Sequence, residues 1–318
     1  MRRILRDVER RAVADHVGLA YERWAPVGPG GKLLEGEAAE WLTRLAATPV
    51  STDYRAHYQR WAASFDADGS RTAEVTLASR LLIGHGNPAG SDVGLTLHHT
   101  WGVPIVPGSA VKGLLSHYLH ACYAMDTPGP HPMDPALDET VRQRAAFQRP
   151  LWEHRKVVHG PGDVQRAIFG APSAADDKQF AAQGAGETAG EVIFHDALYV
   201  PVGSERPFAV DVLTPHQRRY YSAKLGDVPP LPSDYDRPNP VTFLSVRPGT
   251  RFLVALSGPA EWTDFTLRFI LESLSEWGVG AKTAAGYAIS DRKESRSRPN
   301  PSSRLHPYHL FSPRFATG

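Results

Sequence analysis

The sequence holds one cysteine, Cys122, in 318 residues. Internal disulfides, Cys-rich zinc modules and iron–sulfur clusters are therefore excluded. No run approaches the ~20 consecutive apolar residues that span a bilayer. The basic start, Met1-Arg2-Arg3, is not followed by a continuous apolar stretch, so no secretory signal is expected and a cytoplasmic location fits best. Nor is there an excess of one charge, since 35 Lys+Arg face 34 Asp+Glu for a net charge of +1. Any nucleic-acid surface must then be a local patch and not a global field. Lysine itself is scarce, and arginine, the better phosphate and base-stacking residue, dominates the basic set.

What is present is an ordinary globular composition, 42% hydrophobic and 22% charged, enriched in Gly (28) and Pro (27). That balance predicts a loop-rich, β-containing protein and argues against a pure helical bundle. Helical periodicity is read over residues 2–20, 36–47 and 52–65, giving a helical N-terminal extension over 1–66 with Trp41, Tyr54, Tyr58 and Trp61 as packing residues. The alternating RTAEVTLASRLLI (71–83) predicts a strand. A long Gly/Pro-punctuated loop follows over 84–107, then a helix from Gly108-Ser109 to about 125, with Ser109 as its cap and Val111, Leu114, Leu115, Tyr118, Leu119 and Cys122 as its apolar stripe. Residues 127–190 read as an insertion containing helices over 135–158 and 163–169. Strands are predicted over 191–200, 208–213, 241–246 and 250–257, the last two as a hairpin around Arg247-Pro248-Gly249. A helix over 263–277 and a glycine-rich turn complete a domain over 67–291. The remainder, 292–318, is polar, Pro-rich and basic and reads as a disordered tail. Reduced to its core, the order β, α, β, β-hairpin, α, β suits an α+β, ferredoxin-like (RRM-like) domain with large insertions.

Two motifs could carry chemistry. GVPIVPGSAVKG (102–113) opens a helix with small residues and one lysine in its first turn. Unpaired N–H groups at a helix start attract phosphate, Gly108 and Ser109 permit close approach, and Lys112 adds a full charge. The same residues also suit a proline-braced helix start with a solvent-facing lysine. GVGAKTAAGYA (278–288) follows a helix and lacks P-loop or dinucleotide spacing. Gly278 and Gly280 free the backbone, and Lys282 and Thr283 can meet a phosphate; a plain helix C-cap turning into a strand fits equally. Further along, His216, Arg218, Arg219, Tyr220 and Tyr221 mix charge with aromatic faces, suited to splayed bases or to a neighbouring protein.

Histidines offer fewer openings. His98-His99 could position RNA, cap their loop or supply a general base. His117 and His120 fall short of a zinc set. His195-Asp196, inside one strand, should point to opposite sides. Asp196 and Asp211 are isolated acids, with no two-metal carboxylate cluster. Neither metal nor cofactor is expected.

Taken together, PGSAVKGLL and GVGAKTAAGYA resemble the two signatures of the RAMP superfamily of CRISPR proteins, although Ala288 stands where the superfamily loop often has a final glycine. LTLHHTWGVPIVPGSAVKGLLSHY (95–118), AIFG (167–170), GEVIFHDA (190–197), DVLTPHQRRYY (211–221) and NPVTFLSV (239–246) resemble, in order, the sixth-subunit family of the Cmr complex, the type III-B effector. The resemblance implies a non-catalytic RNA-binding subunit of a ribonucleoprotein for antiviral defence. Such a subunit caps the backbone filament near the 3′ part of the CRISPR RNA (crRNA). Its implied partners are crRNA, with target RNA a further candidate, and the neighbouring backbone, small and terminal subunits. The residues expected on RNA are His98, His99, Ser109, Lys112, His216, Arg218, Arg219, Tyr220, Tyr221, Gly278, Gly280, Lys282 and Thr283. The alternatives are a RAMP-type endoribonuclease with a histidine base, and a protein-only scaffold.

Overall fold

Seven residues, 70–76, form β1, and every one of them pairs antiparallel with β11 (Arg251–Ser257), from Ser70 opposite Ser257 to Thr76 opposite Arg251. The computed structural model describes residues 16–28, 34–66, 69–87, 89, 91, 93–124, 143–172, 186–201, 206–214, 220, 228, 231, 240–288 and 290. β11 pairs in turn with β7 (Ile193–Phe194) and β8 (Ala197–Tyr199), and β8 with β2 (Ile105–Val106), giving the order β1-β11-β8-β2. Ser290 makes an antiparallel bridge to Leu77 beyond the end of β1. A separate pair, β9 (Phe208–Leu213) with β10 (Val241–Val246), forms a second sheet.

Six helices are described from end to end: α1 (Val17–Arg23), α2 (Glu35–Ala47), α3 (Thr52–Ala63), α4 (Gly108–Tyr123), α5 (Asp163–Phe169) and α6 (Ala260–Glu276); residues 143–145 are helical as well. Side chains alternate along β1. Arg71 meets Asp264 of α6 in a two-pronged ion pair, so Arg71, Ala73 and Val75 face α6. Tyr58 of α3 feels the charges of Glu74 and Arg251, and Phe65 sets its ring edge on His195, 4.8 Å between centroids. The aromatic row Tyr54, Tyr58, Trp61, Phe65, at helical spacing, thus lies over the opposite face. α2 packs on β9 and β10, and Trp41, Tyr54, Leu115, Phe252 and Ile270 belong to one buried cluster, so the N-terminal helices share the core of the sheet.

Several expectations need correction. The strand over 71–83 breaks in two: β1 ends at Thr76, Leu77 still bonds Thr250, and after a bend Leu81 bridges Val246 of the second sheet. Consequently β10 and β11, read as a hairpin, do not pair with each other; the turn at Arg247-Pro248-Gly249, with Gly249 at φ +77°, passes the chain from one sheet to the other. The helix over 135–158 is not formed at its end. Residues 151–159 are instead a hairpin, β3 (Leu151–Glu153) and β4 (Lys156–His159), because Pro150 removes an amide and His154-Arg155, at φ +45° and +70°, make a tight left-handed turn. The strand over 191–200 is interrupted at His195-Asp196. Cys122, assigned to the apolar stripe of α4, is exposed in its last turn. Within the insertion, β5 (Gly170–Ala171) pairs with β6 (Thr188–Ala189), and α5 has the bounds its sequence predicts.

Candidate functional site

The start of α4 is a closed structure. Pro107, and not Ser109, occupies the cap position, and no side chain of its own caps the helix. The Gly108 N–H instead donates to Asp196 Oδ1 at 2.8 Å. A Cβ at Gly108 would lie 2.2 Å from the Phe194 carbonyl oxygen. Gly108 is therefore required for the contact between helix and strand, and its N–H already holds an anion. Ser109 is exposed and Lys112 half-buried; the Lys112 ammonium has no ion-pair partner among the described residues.

His98 sits beside this helix start in a tight turn. Its N–H donates to Val103 O (2.7 Å), its carbonyl accepts from Gly102 N–H (2.8 Å), and its Nδ1 accepts from Thr100 N–H (3.2 Å). Burial first, then the His57 ring, lower its pKa, against the opposing pull of Asp196. His57 in turn packs on Trp101 (5.0 Å), which also meets Tyr54 (6.1 Å). His16 caps α1 by accepting from Leu19 N–H, and its Nε2 lies 2.9 Å from Thr100 O, which fastens α1 to the same turn. His99 is exposed. His195 and Asp196 serve separate partners, His195 Nε2 lying 3.0 Å from Ser257 Oγ. Among the described residues no group of three or more His, Cys, Asp or Glu is arranged to hold a metal ion.

The glycine-rich loop is the opposite case. Gly278, Gly280, Lys282, Gly286 and Ala288 all have positive φ, from +60° to +101°. Val279 and Ala288 are buried in the same core as Val111 and Leu115, while Lys282 stands exposed between them. Ala281 N–H donates to Leu82 O and Ala288 N–H to Arg80 O, both at 2.7 Å, so the loop leans on the bend between the two sheets. Gly280 fits closely there, since a Cβ would come within 2.6 Å of Leu82 O. Thr283 begins a short 3-10 turn, half-buried. On the other side, the Tyr287 hydroxyl donates to Asp211 Oδ2 at 2.8 Å, and Arg80 Nε lies 3.3 Å from the same oxygen. A small cluster of Leu82, Val93 and Phe243, with Leu213, Val241, Ala281 and Tyr287 against it, fills the space beneath.

The predicted residues thus fall into two groups. His98, His99, Ser109 and Lys112 gather at the start of α4. Gly278, Gly280, Lys282 and Thr283 gather over the bend, and among the described residues no hydrogen bond or ion pair joins the two groups. Leu213 and Val241, which flank the segment carrying the third motif, pack on the same small cluster as Ala281 and Tyr287 of the glycine-rich loop. Tyr220 is 37% exposed; His216, Arg218, Arg219 and Tyr221 lie outside the described residues. Sequence reasoning missed His57, Trp101, the capping role of Asp196, and the Arg80–Asp211–Tyr287 triad. Asp211 was read as an isolated acid and as the first residue of DVLTPHQRRYY, because its partners Arg80 and Tyr287 are distant in the chain.

The chain is 28% identical over 247 residues to the CRISPR system Cmr subunit Cmr6 of Pyrococcus furiosus, covering 74% of this chain and 71% of that one. Among solved structures, a type III-B Cmr-beta complex bound to cognate target RNA aligns at a TM-score of 0.48 and 17% identity, over 81% of this chain and 72% of that chain. The crystal structure of Cmr6 from Pyrococcus furiosus aligns at 0.37 and 25%, over 70% of this chain and 97% of that chain. The RAMP superfamily itself matches residues 74–287, from the middle of β1 through the start of α4 to the tyrosine of the glycine-rich loop, and the chain belongs to that superfamily.

Proposed function

We propose that this chain is a non-catalytic, crRNA-binding subunit of a cytoplasmic type III-B Cmr effector complex. In this reading it caps the backbone filament near the 3′ part of the crRNA and contacts neighbouring RAMP subunits. Its core is read as ferredoxin-like: β1, α4, β7–β8, β11, α6 and the Ser290 bridge follow that order. The observation that carries the reading is Lys282, an exposed cation held in left-handed backbone on a loop with no ion-pair partner among the described residues. A lysine so displayed is suited to sugar–phosphate, which positions RNA without reading its sequence. Lys112, Ser109 and His99 are the further contacts assigned to the start of α4, and Gly278, Gly280, Thr283, His216, Arg218, Arg219, Tyr220 and Tyr221 those around the loop.

The non-catalytic reading is supported at His98. Its Nδ1 lone pair already accepts Thr100 N–H, so the neutral ring presents an N–H at Nε2 and not a base. The test is retention of crRNA by Lys112→Ala and Lys282→Ala across a salt titration. Each lost phosphate contact lowers the slope of log K against log salt by about 0.7 for single-stranded RNA. A double variant that holds crRNA as wild type does would overturn the assignment. Specific, metal-independent cleavage of repeat RNA by the pure protein, lost in His99→Ala, would overturn the non-catalytic reading instead.

A further inference from the structure

We propose that Asp211 is a positioning residue: its carboxylate locks the glycine-rich loop to β9, so that Lys282 is held in its exposed, left-handed position. The inference rests on the RNA-binding reading of Lys282. Five residues within eleven have positive φ; the three glycines accept it without a steric penalty, but Lys282 (φ +61°) and Ala288 (φ +60°) carry side chains and make the loop intrinsically unfavourable. Such a conformation persists only where its surroundings over-determine it. Two backbone bonds, from Ala281 to Leu82 O and from Ala288 to Arg80 O, hold one side. On the other side, among the described residues, the only side-chain hydrogen bond from the loop is that of the Tyr287 hydroxyl to Asp211.

Asp211 is fully committed to that task. Its Oδ2 receives the Tyr287 hydroxyl and faces Arg80 Nε, and its Oδ1 accepts Val212 N–H at 2.9 Å, which fixes the carboxylate plane. Arg80 is itself oriented by Val210 O at 3.0 Å. Tyr287 stays a donor at any ordinary pH, since burial and then Asp211 push its pKa up to about 12. Asp211 lies two residues before Leu213, which packs in the small cluster with Ala281 and Tyr287. One carboxylate therefore joins the bend, the loop and the root of the basic-aromatic segment.

The experiment uses the full-length protein, with Tyr287→Phe as the lead variant because it leaves the Arg80–Asp211 pair intact, and Asp211→Ala beside it. Two readouts are taken: hydrogen exchange of the amides of 281–288 without RNA, and affinity for a fluorescein-labelled single-stranded RNA. We expect loop amides to exchange about tenfold faster while α6 amides keep their protection, and RNA affinity to fall about tenfold, the scale of one charge-assisted hydrogen bond. Adding Tyr287→Phe to Lys282→Ala should cost no further affinity, as coupled residues are non-additive. Unchanged exchange in the loop, or full additivity with Lys282→Ala, overturns the positioning role. If wild type itself does not bind the RNA, the RNA-binding reading of Lys282 fails, and the exchange data still decide whether Asp211 clasps the loop.

Discussion

The two lysine-bearing motifs look alike as sequence, each a pair of glycines or small residues around one lysine, yet they are built for different ends. At the start of α4 the glycine is there for packing. Gly108 lets the helix touch the Phe194 carbonyl, and Asp196 fills the positive end of the helix. In the loop over 278–288 Gly280 meets a packing demand as well as a conformational one, whereas Gly286 serves conformation alone. Gly286 has open space where a Cβ would be, and its φ of +85° is what demands glycine. A helix start with its own carboxylate is a weak phosphate trap; a strained, exposed turn carrying an unpaired lysine is a stronger one.

Substitutions at the glycines should break this comparison most sharply. Gly108→Ala should destabilise the protein by about 3 kcal/mol or more, since the clash is with backbone and cannot be relieved by a rotamer change. Gly286→Ala, strained but unobstructed, should cost about 1 kcal/mol. Chemical denaturation of the two variants side by side checks the order, and equal losses would contradict the packing-versus-conformation distinction.

A second prediction separates stability from function in the loop. Lys282→Gly relieves a left-handed side chain and should raise stability by up to about 1 kcal/mol while lowering RNA affinity. Lys282→Ala should lose the same affinity with no gain in stability. If both variants leave stability unchanged, the strain is not stored at this residue.

Removing the internal anion sharpens the other side. Asp196→Ala should cost about 1 kcal/mol, the usual worth of an N-terminal cap. If the start of α4 is a latent phosphate site blocked by this carboxylate, the variant should bind RNA more tightly; unchanged affinity would leave the helix start as packing alone.

The smallest expected effect concerns pH. His98, His120 and His195 all have pKa values lowered from the usual 6.5, in each case chiefly by burial. The unfolded chain therefore binds more protons than the folded one below that value. Stability is full above pH 6.5 and falls as pH drops through the lowered folded-state values. Thermal melts between pH 7.5 and 5 should show this decline, reduced in His98→Gln. A melting temperature flat across that range would mean the three rings are not protected from protonation.

Most helices were legible because period is a local signal. Residues 36–47, 52–65, 108–125, 163–169 and 263–277 carry apolar stripes, and the structure places helices at Glu35–Ala47, Thr52–Ala63, Gly108–Tyr123, Asp163–Phe169 and Ala260–Glu276. Strand partnership was not legible. The alternation of 71–83 is continuous, but which sheet each half joins depends on β10 and β11, some 170 residues away. The same holds at the sites. Lys112 and Lys282 stand out by composition, whereas the Asp196 cap and the Asp211 clasp are bonds between residues 88 and 76 positions apart.

By itself the chain's order of residues determined most of the helices, the two lysine-bearing turns and the superfamily they signal, because local propensity and short motifs are properties of neighbours. Only the tertiary structure decided that Gly108 is sealed by Asp196 while Lys282 stays open. Burial, charge pairing and strain arise when distant segments meet, and no short stretch of sequence contains both halves of such a contact.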